Sequence, residues 1–227
     1  MKINFNLSSL VQKKEIELII NEIFYSIQGE SSRIGLPTIF IRLTGCPLRC
    51  QYCDTEYAFT EGKKMHITSI LKKIKEYPTK YVTVTGGEPL AQKACTIFLT
   101  NLCDIGYDVS LETSGAIDVS DVDKRVKKII DIKTPGSNEH KKNKFENLKY
   151  LTKKDEIKFV ISNKSDYIWA KQKIVEKKIN GVSDIIFSPV YKSLKSSDLA
   201  DWILEDKLNV RMQLQLHKYI WGDVPGK

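Results

Sequence analysis

The chain is expected to fold as an α/β protein, a partial and laterally open (β/α) barrel. Three observations predict it. Short β-branched or aromatic runs alternate with helical patterns, as parallel strands joined by crossovers require. Unusual residues recur just after the strands: Gln28-Gly29-Glu30, Thr44-Gly45-Cys46, Gly86-Gly87-Glu88, Thr113-Ser114-Gly115, Thr134-Pro135-Gly136 and Ser188-Pro189. In a barrel such ends converge on one mouth, where barrel active sites form. Finally, 227 residues fall short of the ~250 typical of a closed eight-unit barrel.

In chain order, strands are expected near 21–27, 38–43, 80–85, 107–112, 128–133, 156–161, 184–188 and 209–216. Each is a short run rich in Val, Ile, Phe, Tyr or Thr. Between them, HITSILKKIKEY (66–77), PLAQKACTIFLTNLCDI (89–105), SDYIWAKQKIVEKKI (165–179) and SSDLADWILEDK (196–207) carry apolar residues at helical spacing. In the third, Ile168, Val175 and Ile179 fall on one face. The segment TPGSNEHKKNK (134–144) is too short to divide domains and begins at a strand end, so it reads as an active-site loop.

Hydrophobic residues make up 41% and charged residues 28%, a globular balance that argues against a disordered or fibrous chain. One domain over 1–227 is the expectation at this length. No apolar run approaches the ~20 residues of a membrane span, and Lys13, Lys14, Glu15 and Glu17 stand where a signal peptide needs an apolar core. A cytoplasmic address without a membrane partner is therefore expected. In that reducing compartment, clustered cysteines point to metal binding or catalysis more than to disulfides. The formal net charge of +8 suits nucleic acid or an anionic substrate, but much of the excess lies in Lys124 to Lys128 and Lys141 to Lys144. A solvated lysine-rich face accounts for these, and no direct contact with nucleic acid is expected.

Residues 45–55 read GCPLRCQYCDT, which places Cys46, Cys50 and Cys53 in one loop. Three thiolates spaced C-x3-C-x2-C can hold one corner of an iron-sulfur cube and leave the fourth iron open to a small molecule. A zinc reading competes. Cys50-x2-Cys53 followed by His66, with Cys46 as a fourth ligand, imitates a zinc finger, although Ile70, Leu71 and Lys72 stand where the closing histidine belongs. A Cys3His site stays open at this point. Cys95 and Cys103 fall in the second predicted helix and read as small buried hydrophobes.

With Tyr52 before the last cysteine, the motif resembles the signature of the radical S-adenosylmethionine enzymes. Their fold is a full or partial (β/α) barrel with the cluster loop after the first barrel strand, a place that FIRLTGC fills here. The resemblance implies a 4Fe-4S cluster whose open iron binds the amino and carboxylate groups of S-adenosylmethionine, and a 5'-deoxyadenosyl radical released on one-electron reduction. VTGGEPL (84–90) is similar to the glycine-rich segment that meets the cofactor's amino group.

NEIFYSIQGE, CDTEYAF, DIKTPGS and QLHKYIWG together resemble the 7-carboxy-7-deazaguanine synthase family, over nearly the whole chain after about residue 20. The resemblance implies a homodimeric lyase that converts 6-carboxy-5,6,7,8-tetrahydropterin to 7-carboxy-7-deazaguanine with loss of ammonia, on the way to queuosine and other deazapurines. It also implies Mg2+ and an electron donor such as flavodoxin or ferredoxin. No side chain is expected to be catalytic, since the cofactor carries the radical chemistry.

The same resemblance places Tyr52, Cys53, Asp54, Gly87, Glu88, Ser114, Lys133, Thr134, Pro135, Ser188, Pro189, Val190 and Tyr191 at the cofactor. Thr55 is implied as the Mg2+ ligand, a role that suits an oxygen donor; without the resemblance it reads as a helix cap. Ile27, Gln28, Gly29, Arg42, Thr85, Gln215, His217 and Lys218 are implied at the substrate. Arg42 can grip a carboxylate with its planar fork, and the Gln28 amide offers both hydrogen-bond polarities to a pterin edge.

Two departures stand out. Ser31 replaces the glycine that commonly follows QGE, and residues 1–15 form an additional N-terminal extension. The ending PGK also puts any family role of a C-terminal proline in doubt at Pro225. Two other functions fit parts of the sequence. A glycyl-radical-enzyme activase would use the same cluster with a protein-docking groove, and a zinc-bearing basic RNA-binding module would use the positive charge, with strong salt dependence.

Overall fold

The computed structural model describes residues 16–227; the expected extension, 1–15, lies outside the described residues. The strands are β1 (Glu17–Ile27), β2 (Pro37–Leu43), β3 (Lys63–His66), β4 (Tyr81–Gly86), β5 (Asp108–Thr113), β6 (Lys127–Ile132), β7 (Glu156–Ile161), β8 (Asp184–Pro189) and β9 (Arg211–Met212). The helices are α1 (Ile67–Ile74), α2 (Cys95–Asp104), α3 (Lys164–Glu176), α4 (Ser196–Glu205) and α5 (Leu216–Trp221). One sheet runs in the order β3-β1-β2-β4-β5-β6-β7-β8-β9. Its edges, β3 and β9, do not meet, so the wall is open as expected.

From β2 onward the barrel strands pair in parallel, whereas β1 is antiparallel to both β2 and β3. Side chains alternate across each strand. Ile39, Ile41 and Leu43, Val82 and Val84, Val109 and Leu111, and Ile157, Phe159 and Ile161 are buried in the core. The helices bring Ile67, Ile70 and Ile74 of α1, Phe98 and Leu102 of α2, and Tyr167 and Ile174 of α3 into the same core. Each such side chain, fully buried, contributes about 1.5–3 kcal/mol. The intervening positions face the barrel interior.

Three expectations change in the structure. Because β1 runs against β2, the Gln28-Gly29-Glu30 turn does not join the other strand ends at the mouth. It lies at the opposite end, where residues 28–36 cross the barrel floor and Ser32 N donates to Glu156 at the start of β7. Of the apolar face expected in α3, Ile179, just beyond the helix end, is buried, but Ile168 and Val175 are exposed, and the buried face of the helix is Tyr167, Ala170 and Ile174. Tyr167 takes that side because its hydroxyl reaches the Trp202 carbonyl and the Asp206 carboxylate of the α4 region, a use for a buried phenol that no isoleucine has.

The third change is at the C-terminus, where the strand expected at 209–216 shrinks to β9 and α5 follows. Two lysines also leave the supposed solvated face: Lys128 is buried against Asp155, and Lys127 pairs with Glu156. The segment after β6 forms three short 3-10 turns rather than a helix. It is fastened to the residue 45–55 loop through Gln51 N to Ser137 O and Arg49 N to Glu139 Oε1. Among the described residues no helix is long and apolar enough to cross a membrane.

Candidate active site

The barrel interior holds a cavity of about 580 Å3 reaching from the floor to the loop after β2. Interior positions of the strands supply its wall: Phe40 and Arg42 of β2, Thr85 of β4, Glu112 of β5, Ile129 and Asp131 of β6, Lys158 and Val160 of β7. Cys46, Cys50 and Cys53, all free, line its upper end beside Lys133.

Local chemistry fixes the cysteine loop. It leaves β2 through Gly45 at φ +98°, a conformation that L side chains rarely adopt. Gly45 N donates to Ala58 O, and Gly45 O accepts from Glu88 N. The Arg49 guanidinium donates to the carbonyls of Cys46 and Leu48 and lies 4.3 Å from the Phe59 ring centroid. At Gly87 a Cβ would stand 2.5 Å from Gly45 O and 2.7 Å from Cys46 Cβ, so only glycine lets β4 end against this loop.

Burial raises all three thiols above their ordinary value, Cys50 to about 11. Ligation therefore requires these thiols to lose their protons. Among the described residues, no three His, Cys, Asp or Glu side chains are grouped as a single metal ion needs. A tetrahedral zinc with Zn–S of ~2.3 Å gathers its sulfurs around one point, whereas a cluster spaces them over several irons. Three thiols around one cavity fit the cluster. His66, the supposed zinc ligand, instead pairs with Glu17 across β3 and β1 at 3.3 Å.

Charge is graded along the wall. Burial acts to raise the Glu30 carboxyl, but the adjoining Lys158 ammonium and the Gln215 amide hold it below the usual range. Glu112, which accepts from Thr85 Oγ1 at 3.1 Å, is pushed up by burial and then by the Glu30 carboxylate. The two neighbouring carboxyls are thus shifted in opposite directions. Lys133 pairs with Asp131 Oδ2 at 2.9 Å, while the buried Asp131 Oδ1 has no hydrogen-bond partner among the described residues. It is an acceptor available to a donor group of a bound molecule.

On the opposite side, Arg42 Nε donates to Glu22 Oε1 at 2.8 Å, and the Tyr57 hydroxyl donates to the same oxygen at 2.9 Å. The guanidinium also lies 5.9 Å from the Phe24 centroid and 5.8 Å from that of Tyr57. Its plane is fixed, and among the described residues both Nη groups lack a protein partner.

Of the residues expected at the cofactor, Tyr52, Cys53, Asp54, Gly87, Ser114, Lys133, Val190 and Tyr191 line the cavity. Glu88, Thr134, Pro135, Ser188 and Pro189 do not. Glu88 is fully buried, accepting from Thr113 Oγ1, Ser114 N, Ser114 Oγ and Leu90 N, so its carboxylate ties the ends of β4 and β5 together. Thr134 is likewise buried, with its hydroxyl donating to Val160 O. Thr55 reaches the cavity and donates to Asp54 Oδ1 at 2.8 Å.

Of those expected at the substrate, Ile27, Gln28, Arg42, Thr85, Gln215, His217 and Lys218 line the cavity and Gly29 lies behind it. A Cβ at Gly29 would fall 2.0 Å from His217 Nδ1. Gly29→Ala is expected to lower the thermal midpoint by several degrees, at about 2–4 °C per kcal/mol for a chain of this size. His217→Ala in the same chain should recover most of that loss. A midpoint unchanged in Gly29→Ala would show that the ring is not packed there. Burial lowers the His217 imidazole below its ordinary value and so favours the neutral ring.

Sequence reasoning did not assign Glu30, Glu112, Asp131 or Lys158 to the site, and it left the role of Pro225 in doubt, whereas the tail from Gly222 to Lys227, Pro225 included, also lines the cavity. The available signal was a charged residue at an alternate position of an otherwise apolar strand, as in SLET, IIDI and EIKF.

Residues 40–137 match the family model described as Radical SAM superfamily, a span that contains all three cysteines of the loop. The 7-carboxy-7-deazaguanine synthase of Chlorobaculum tepidum is 47% identical over 211 residues, covering 92% of this chain and 96% of that one. The chain belongs to that family. The 7-carboxy-7-deazaguanine synthase of Koribacter versatilis is 44% identical, over 89% of this chain and 96% of its own. In fold, the chain resembles the crystal structure of QueE from Escherichia coli, with a TM-score of 0.77 and 22% identity over 94% of this chain and 100% of that one. Membership in a radical S-adenosylmethionine family brings with it a 4Fe-4S cluster and S-adenosylmethionine, and the three thiols around the cavity suit that cluster.

Proposed function

We propose that the chain is a single-domain lyase that contracts 6-carboxy-5,6,7,8-tetrahydropterin to 7-carboxy-7-deazaguanine with loss of ammonia, serving deazapurine biosynthesis such as that of queuosine. The observation that carries this reading is one cavity that unites three cysteine thiols with an Arg42 guanidinium held in its wall by Glu22. When bound, the cluster and S-adenosylmethionine supply one-electron removal of a hydrogen atom. The side chains bind and orient, which is what a radical rearrangement needs more than acid or base strength.

Arg42 takes the substrate carboxylate on its two Nη groups, held flat by Glu22, Phe24 and Tyr57. Gln28 donates from Nε2 to Thr83 Oγ1 at 3.1 Å and accepts Glu30 N at Oε1, so its amide is locked with capacity to spare for the pterin edge. Glu112, its carboxyl raised by burial, lines the same cavity and offers a further hydrogen-bonding group. Thr55 Oγ1 would hold Mg2+, an oxygen donor such an ion accepts, and the ion would supply positive charge for the substrate carboxylate. Tyr52, Asp54, Gly87, Ser114, Lys133, Val190 and Tyr191 surround the adenosylmethionine. A flavodoxin or ferredoxin as electron donor, assembly as a homodimer, a cytoplasmic location and no direct contact with nucleic acid belong to the same reading, supported by family membership.

The test is anaerobic reconstitution with reductant, S-adenosylmethionine, Mg2+ and carboxytetrahydropterin, with 5'-deoxyadenosine and 7-carboxy-7-deazaguanine followed by mass spectrometry. Formation of both is expected; deoxyadenosine alone from an intact cluster would retain the radical class and discard this substrate. Arg42→Lys, which loses the bidentate fork, is expected to lower kcat/KM about 10- to 100-fold, chiefly through KM. Its iron content should match the wild type, and loss of iron would overturn the assignment.

A further inference from the structure

Residues 213–218 run along the floor turn and fasten to it residue by residue. Ser31, at φ +65° without being glycine, is gripped by one amide: its N–H donates to Gln213 Oε1 at 2.6 Å and its carbonyl accepts from Gln213 Nε2 at 2.8 Å. Leu216 N donates to Gly29 O at 3.0 Å. Between these contacts, Gln215 Nε2 donates to Glu30 Oε1 at 2.8 Å and to Asp54 Oδ2 at 3.3 Å. Asp54 directly follows Cys53, and its Oδ2 also meets Lys218 Nζ at 2.9 Å.

One neutral NH2 group therefore joins a carboxylate of the floor turn to a carboxylate of the cysteine loop. Each carboxylate keeps its other oxygen for a separate partner, Lys158 for Glu30 and Thr55 for Asp54. The choice of an amide is informative. A glutamate at 215 would set a third negative charge against two others, and an apolar residue would leave both carboxylates without the donor that spans them.

We propose that Gln215 is a positioning residue that couples the pterin end of the cavity to the cluster end, so that a seated pterin brings the cysteine loop into register for productive hydrogen abstraction. This rests on the proposed reading of the floor as the pterin site. Gln215 acts through Glu30 and Asp54, and its loss uncouples cofactor cleavage from ring contraction without emptying the cluster site.

The experiment compares wild type with Gln215→Leu as reconstituted holoenzymes. Iron content in Gln215→Leu is expected to match the wild type and its thermal midpoint to fall by a few degrees, while 5'-deoxyadenosine exceeds 7-carboxy-7-deazaguanine by about fivefold or more. A second readout needs no turnover. Carboxytetrahydropterin added without reductant should slow amide hydrogen exchange in both 27–31 and 52–56 of the wild type, but only in 27–31 of the variant.

A product ratio like that of the wild type, or protection of both segments in Gln215→Leu, would overturn the coupling and leave the enzyme assignment standing. A wild type that makes no deazaguanine would overturn the assignment itself. If Gln215→Leu does not fold, Gln215→Asn, which keeps the amide but cannot span both carboxylates, is judged by the same two readouts.

Discussion

Cys50→Ala is expected to leave the chain folded but free of cluster iron, and to lower formation of both 5'-deoxyadenosine and 7-carboxy-7-deazaguanine by at least ~10^3-fold. The same holds for Cys46→Ala and Cys53→Ala. With three thiols for a cluster of four irons there is no spare ligand: Cys95 is buried in α2 and Cys103 lies at its far end, and neither lines the cavity. The fold should survive because the loop is held by contacts that do not use sulfur. Arg49 clasps the Cys46 and Leu48 carbonyls, Gln51 N reaches Ser137 O, and Gly45 N reaches Ala58 O. Iron analysis and absorbance near 400 nm measure the first effect, and mass spectrometry the second. Cys103→Ala serves as the control and should keep both cluster and product. A Cys50→Ala protein that retained full iron would exclude the three-thiolate site.

The contrast between residues that could be read in advance and those that could not follows from how sequence encodes each. The cysteine spacing is local, so three ligands in eight positions announced the loop without any fold. Arg42 and Thr85 lie beside recognisable motifs at strand ends. Glu112, Asp131 and Lys158 become a site only when alternate positions of three distant strands face one interior, and that requires the register of β5, β6 and β7. The direction of β1 was hidden for a related reason. A strand's apolar pattern is the same in either direction, so only pairing with β2 shows that Gln28 and Glu30 rise from the floor.

Helix α3 was misread because Tyr167 buries a polar tip that finds partners on α4, a tertiary contact that apolar periodicity does not carry. The short α5 gave too few residues for its period to be seen, and its sequence QLHKYIW alternates as readily as a strand.

Lys158→Met tests the charged interior most severely. Lys158 Nζ contacts Glu30 Oε2 in a pair whose side chains are only 14% and 12% exposed. Removing one member of such a buried pair leaves a carboxylate facing an apolar group, and typically costs about 3–5 kcal/mol. The expected result is a fall in unfolding free energy at the lower end of that range, because the cavity admits water, together with a large loss of ring-contraction activity as Glu30 loses the partner that holds it in place.

Lys158→Met combined with Glu30→Gln should regain most of the stability, since two neutral groups of similar volume need no counter-charge, but should not regain activity. The pH dependence has a definite sign. Glu30 titrates lower in the folded chain than in the unfolded one, so its contribution is fully present above the ordinary carboxylate value and disappears as pH falls through the lowered one. Lys158 is raised, so its contribution is complete below the ordinary lysine value and is lost only in strong alkali. The part of the stability difference between wild type and the double variant that comes from this pair should therefore shrink in acid. A difference that grew in acid would show that the pair is not formed.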